Sequence, residues 1–277
     1  MKDNKKQGSK KGILTALGVA LISVPLMTAP AHAGAVVNWT GTDGFSAEPY
    51  VQGTNIFHIR LDSSFPGFST GNALMPGLNL SSAITDGLDL GIGGGLNFSS
   101  IGTSLSNISM GAIYPWIRAA IPVGIENLKA GVMVGTSIPV NTNNVAPNIN
   151  NMNNRLSTEF FPGITGLMDV YLGQFTGADF PLTMGVNAGY ARGLTSGTNL
   201  MAGNLNFTLP YSNLIFYEEQ FVNYPVGGYA NGGVRFGINV PVSNKVMFDI
   251  KPAALWDVSS AGISWTFNPS VGASVRF

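Results

Sequence analysis

The residues that could do chemistry are few, and they are scattered. The chain of 277 residues holds two histidines, His32 and His58, and no cysteine. A Ser-His-Asp relay needs an imidazole within reach of a serine, and no Gly-x-Ser-x-Gly elbow accompanies His58. A structural metal needs three or four His, Cys or carboxylate ligands, and no such cluster is visible. Glu218-Glu219 is an adjacent acidic pair near an expected loop, which suits solvated carboxylates better than a bound ion. Gly91-Ile92-Gly93-Gly94-Gly95 lacks the Lys-Ser/Thr and the helix that a phosphate loop requires. Nothing here assembles a catalytic site, so no catalytic residue, metal or cofactor is expected.

What remains is a set of single charges spaced along apolar, Gly-rich segments. They are His58, Arg60, Asp62, Asp89, Arg118, Lys129, Asp169, Arg235, Asp249, Lys251 and Arg276. The segments that carry them alternate. Counting back from Phe277, one face holds Phe277, Val275, Ala273, Val271, Pro269, Phe267 and Trp265; the other holds Arg276, Ser274, Gly272, Ser270, Asn268 and Thr266. Leu128 to Val140 and Gly232 to Val242 repeat this period of two, which belongs to strands and not to helices. On this phase the charges fall on the face away from the apolar one.

Composition explains why that matters. Charged residues make up 10% of the chain, against roughly 25% in soluble domains. Yet past the first thirty residues no apolar run approaches the roughly 20 residues of a membrane-spanning helix. A chain this apolar, with its greasy side chains at alternate positions, fits a closed antiparallel barrel facing lipid outward. Roughly twelve strands fit, at 53–62, 72–85, 88–98, 109–122, 128–140, 161–175, 180–193, 203–210, 213–222, 228–242, 245–257 and 263–277; ten or fourteen are compatible. Short turns alternate with longer polar loops, among them the stretch Asn141 to Glu159, as in barrels with short periplasmic turns.

The first 33 residues read as a cleaved signal peptide. Lys2, Lys5, Lys6, Lys10 and Lys11 precede an apolar core from Ile13 to Met27 and the small-x-small site Ala31-His32-Ala33. The whole chain balances at 14 basic and 14 acidic residues; losing those five Lys and Asp3 leaves nine against thirteen. No basic surface suits nucleic acid. Residues 34–52 are an arm, a plug or an extra strand, and 53–277 form the barrel.

The last residues go further than alternation. Ser270-Val271-Gly272-Ala273-Ser274-Val275-Arg276-Phe277 resembles the closing strand of bacterial outer-membrane β-barrel proteins. The resemblance implies that Gly272, Val275 and the terminal Phe277 form an insertion signal read by the barrel-assembly machinery. It also implies export to the bacterial outer membrane, with lipid and lipopolysaccharide as surroundings. The overall layout is similar to transporter- or porin-like barrels, which implies a channel for small solutes lined by the charges named above. The alternative is a non-conducting structural or adhesion barrel that acts through its outer loops. A soluble secreted β-sandwich is a third reading.

Overall fold

In the computed structural model the described residues are 57–64, 73–85, 87–99, 108–125, 127–140, 159–173, 181–243 and 245–277. The expected signal peptide, residues 34–52 and the Asn-rich stretch 141–158 lie outside them. Fourteen strand segments form one sheet: β1 (Phe57–Ser64), β2 (Ala73–Thr85), β3 (Leu88–Ser99), β4 (Ile108–Ile121), β5 (Leu128–Ser137), β6 (Phe161–Tyr171) and β7 (Thr183–Arg192), followed by β8 (Asn199–Tyr211), β9 (Leu214–Pro225), β10 (Asn231–Pro241), β11 (Val246–Lys251), β12 (Ala253–Ser259), β13 (Gly262–Phe267) and β14 (Ser270–Arg276).

Each strand pairs antiparallel with the next from β1 to β10. The ring then closes, because β10 pairs β11, β11 pairs β14, and β14 pairs β1 from His58↔Arg276 to Ser64↔Ser270. Over that span closure removes the open edges that hydrocarbon would leave without hydrogen bonds; among the described residues β13 pairs with β12 alone.

Two staves of the ring are each broken once, so the fourteen segments make twelve staves. Sequence alternation predicts unbroken strands at both places. Pro252 interrupts the first, since proline has no N–H to give to the ladder. Its carbonyl still accepts from Phe236 N at 3.0 Å, and β10 continues from β11 onto β12. Asn268-Pro269 interrupts the second, where Asn268 N donates to Ala253 O at 2.9 Å. The expected contrast of connection lengths is less regular than predicted. Residues 172–182 are long for a turn at the end that carries Phe277, whereas the hairpin between β12 and β13 is tight.

The period of two becomes two solvents. Outward rows carry Ile117, Val134, Ile164, Phe236, Ile238, Phe248, Ile250, Trp265 and Phe267, all exposed. Inward rows carry buried Asp89, Arg118, Asn187, Asn204, Asn239 and Lys251. An ordinary soluble protein arranges these classes the other way round.

Glycines on this wall serve packing. The Gly91 position lies under the Trp116 ring, and an added Cβ would stand 2.3 Å from it. At Gly232 a Cβ would meet Phe221 O at 2.2 Å and the Trp256 ring at 2.6 Å. Gly203 has only ordinary contact, at 3.7 Å from Val222. Gly232→Ala is therefore expected to destabilise the barrel by about 1–3 kcal/mol through overpacking. Gly203→Ala should cost far less, and urea midpoints in detergent compare the two.

Candidate solute path

The inner face carries ion pairs that lie against aromatic rings, two of them across strands and one within β11. Asp89 and Arg118 are direct register partners on β3 and β4. Arg118 grips the carboxylate at both ends, Nε to Oδ1 at 3.0 Å and Nη2 to Oδ2 at 2.5 Å. Its guanidinium also sits 5.5 Å from the centre of the Trp116 ring, two residues back on the same face. This geometry combines a bidentate pair with a cation–π contact.

The second cluster centres on Glu219, a register partner of Arg235. Glu219 accepts from Arg235 Nη1 at 2.9 Å, from the Tyr217 hydroxyl at 2.5 Å and from the Asn204 carboxamide. Arg235 lies 5.9 Å from the Phe221 ring centre. In the third cluster Lys251 Nζ stands 3.4 Å from Asp249 Oδ1 and 5.9 Å from the Tyr217 ring centre. Each cation thus has an anion and an aromatic face, which is how a buried charge is tolerated.

Between the clusters the wall is lined by carboxamides. Asn206 donates to Asn204 Oδ1 at 3.1 Å, and Asn223 donates to Asn231 Oδ1 at 3.1 Å. Asn239 donates to Ile215 O at 3.3 Å, and its own Oδ1, like that of Asn268, has no hydrogen-bond partner among the described residues.

Of the charges singled out in the sequence, Asp89, Arg118, Asp169, Arg235, Asp249 and Lys251 are buried on the inner face. Lys129 shares that face, in register with Asp169, but is exposed. The side chains of His58, Arg60, Asp62 and Arg276 lie outside the described residues; their backbones sit on the closing seam, with His58 opposite Arg276 and Asp62 opposite Gly272. At the same seam Val275 pairs with Ile59. Phe277 N donates to Phe57 O at 2.9 Å, and the two rings stand 6.4 Å apart.

One expectation is corrected. Glu219 is not a solvated carboxylate near the loop end of its strand: β9 runs on to Pro225 and carries Glu219 deep inside the barrel. Two inward glycines sit beneath longer side chains. A Cβ at Gly185 would stand 2.5 Å from Asn206 and 2.7 Å from Asp169, and one at Gly237 would stand 3.0 Å from Lys251. Glycine lets these longer side chains lie down against the wall.

At the opposite end from Phe277, Glu159 ties two loops together. Its Oε2 accepts from Thr195 N at 2.6 Å and Ser196 N at 2.8 Å. Burial pushes this carboxyl up, but the hydrogen bonds from Ser196 and Thr195 outweigh it and hold the group below its ordinary value. A lowered native value means the tie contributes stability above the unfolded carboxyl's range and loses it as pH falls through the native value. Protection of the Thr195 and Ser196 amides, relative to their intrinsic exchange rates, is expected to fall as pH drops below the ordinary carboxylate range, and Glu159→Gln should remove that step.

No family model matches the chain, and no curated protein matches it. Solved structures do. A NanC porin superposes with a TM-score of 0.56 at 10% identity, covering 78% of this chain and 98% of that one. A KdgM porin in complex with disordered oligogalacturonate gives 0.53 at 7% identity, covering 79% and 99%. An outer-membrane channel from Pseudomonas putida F1 gives 0.52 at 12% identity, covering 83% and 98%. The fold is that of bacterial outer-membrane channel barrels.

Proposed function

We propose that this chain is an outer-membrane channel that passes small polar solutes through its barrel. One observation supports the reading above the others: a closed ring whose outer face is apolar and whose inner face is ionic and amide-rich. An outer face of exposed Ile, Val, Phe and Trp suits lipid, and in an outer-membrane barrel lipopolysaccharide is the expected surrounding of its outer end. The barrel-assembly machinery is its expected partner, through Gly272, Val275 and Phe277. Among the described residues the inner face carries both signs, with Asp89, Asp169, Glu219 and Asp249 beside Arg118, Lys129, Arg235 and Lys251. Mixed charge gives weak ion selectivity. The porins that share the fold include one seen with an oligogalacturonate, and a hydrogen-bonding wall also suits a small polar solute here. The chain carries no catalytic role on this reading.

A second reading is a non-conducting barrel. It is favoured by the near-complete burial of Asp89, Glu219, Asn239 and Lys251, which are each at most 1% exposed. Planar-bilayer recording of the refolded protein separates the two. Discrete conductance steps, with similar cation and anion permeability, support the channel. A barrel that migrates as folded on a denaturing gel and yet stays silent in the bilayer overturns it.

A further inference from the structure

One strand breaks the separation of solvents. On β9 the outward row is Phe216, Glu218, Gln220, Val222 and Tyr224, while Ile215, Tyr217, Glu219, Phe221 and Asn223 are buried within. Glu218 and Gln220 therefore stand on the face that the rest of the barrel gives to hydrocarbon. Phe216 and Tyr224 bracket them along about 26 Å of strand. With a strand tilt near 40°, that is about 20 Å of depth, inside an apolar band of about 25 Å. Their cross-strand neighbours offer nothing polar. Glu218 lies opposite Phe207 and Phe236, and Gln220 lies opposite Leu205 and Val234.

Within the chain, Gln220 Nε2 donates to Glu218 Oε1 at 3.0 Å. Among the described residues this is the carboxylate's one donor. A second carboxylate oxygen, a second carboxamide N–H and the carboxamide oxygen are left facing outward. Acidic and amide groups at this depth are costly against lipid tails and are found where protein covers them.

We propose that Glu218 and Gln220 are the centre of a face at which two copies of this chain meet inside the bilayer. A second copy inserted the same way round presents the same two groups at the same depth. A two-fold axis along the membrane normal brings the patch onto its own image. The hydrogen-bonding set is self-complementary, since each Gln220 has a spare N–H for the other copy's Glu218 and each Glu218 has a spare acceptor for it. Leu205, Phe207, Val234 and Phe236 surround the polar centre with an apolar border that packs equally well against its copy. Interlocking amides and carboxyls of this kind hold membrane segments together where the hydrophobic effect cannot.

The chain has no cysteine, so a single introduced thiol reports cleanly. The full chain, refolded into phosphatidylcholine vesicles, is tested as wild type, Val222→Cys, Ile92→Cys and Glu218→Leu/Gln220→Leu. Val222 is exposed on the same outward row and leaves Glu218 and Gln220 intact. Ile92 is also exposed and outward, on β3, which lies half-way round the ring from β9. The expected result is a dimeric mass for the wild type and oxidative cross-linking of Val222→Cys but not of Ile92→Cys. The double-leucine variant should dissociate at least tenfold more readily. A monomeric wild type overturns the proposal, as does equal cross-linking at both cysteines or a double-leucine variant that dimerises as tightly. Capture of a different protein at Val222→Cys from outer membranes, in place of a second copy, overturns it too. If the double-leucine variant fails to fold, the two cysteine variants still decide.

Discussion

Glu219→Ala is expected to destabilise the barrel more than the double change Glu219→Ala/Arg235→Ala. Glu219 is fully buried and receives Arg235, Tyr217 and Asn204. Removing it alone leaves a guanidinium inside the barrel without its anion, a loss of about 3–5 kcal/mol for a buried pair. Removing both partners takes away the stranded charge, so the double variant should recover at least about 1 kcal/mol of the summed single losses. Glu219→Gln should fall between, because a carboxamide keeps an acceptor for Tyr217 while losing the charge. Urea unfolding in lipid vesicles, followed by tryptophan fluorescence, measures all four proteins. Strict additivity would mean that water already screens the pair, and the cluster would then be a wetted lining and not a packed one. The same double variant carries a second readout. It shortens two side chains on the inner wall, so it should raise single-channel conductance if this cluster narrows the path.

Much of this site was legible because parity alone decides it. Once Val234, Phe236, Ile238 and Val240 are set against lipid, Arg235 and Asn239 must point inward, and they are buried. The same parity placed Asp89, Arg118, Asp169, Asp249 and Lys251. It failed at Glu219, because both faces of β9 mix aromatic and polar residues. Tyr217, Glu219 and Phe221 read no differently from Phe216, Glu218 and Gln220. Only pairing across β10, which puts Glu219 opposite Arg235, breaks the tie.

Breaks at Pro252 and Asn268-Pro269 were also hidden, since the alternation passes through them undisturbed: Asp249, Lys251, Ala253 and Leu255 all stay buried. The start of β8 at Asn199, four residues before the expected strand, was masked by the loop-like residues before it. Ring closure rests on pairs such as His58↔Arg276, from opposite ends of the described chain. No local period carries that information. The aromatic partners of the inner cations were missed for a related reason. Parity puts Trp116 on the face of Arg118, but only pairing across strands shows that Gly91 and Gly233 give the rings of Trp116 and Phe221 room to lie against the wall.

Ile250→Lys carries the sharpest consequence of the inverted arrangement. Asp249 and Lys251 are 2% and 1% exposed, while Ile250 between them is 61% exposed. In water an exposed isoleucine exchanged for lysine changes stability by about 0.5 kcal/mol or less in either direction. In hydrocarbon the same change places an ammonium against lipid, at a cost of about 2–4 kcal/mol near mid-bilayer. Ile250 sits well inside its stave, with Ile238 and Val271 as its outward neighbours and no acid among them to pair with a new cation. The loss should therefore be close to the full figure. Refolding into thin and thick bilayers refines the measurement, because a thinner membrane brings the headgroups nearer to residue 250 and should reduce the penalty. A penalty that is absent in every lipid would mean the exposed apolar rows meet water or another protein, and lumen and outer face would have to exchange roles throughout the barrel.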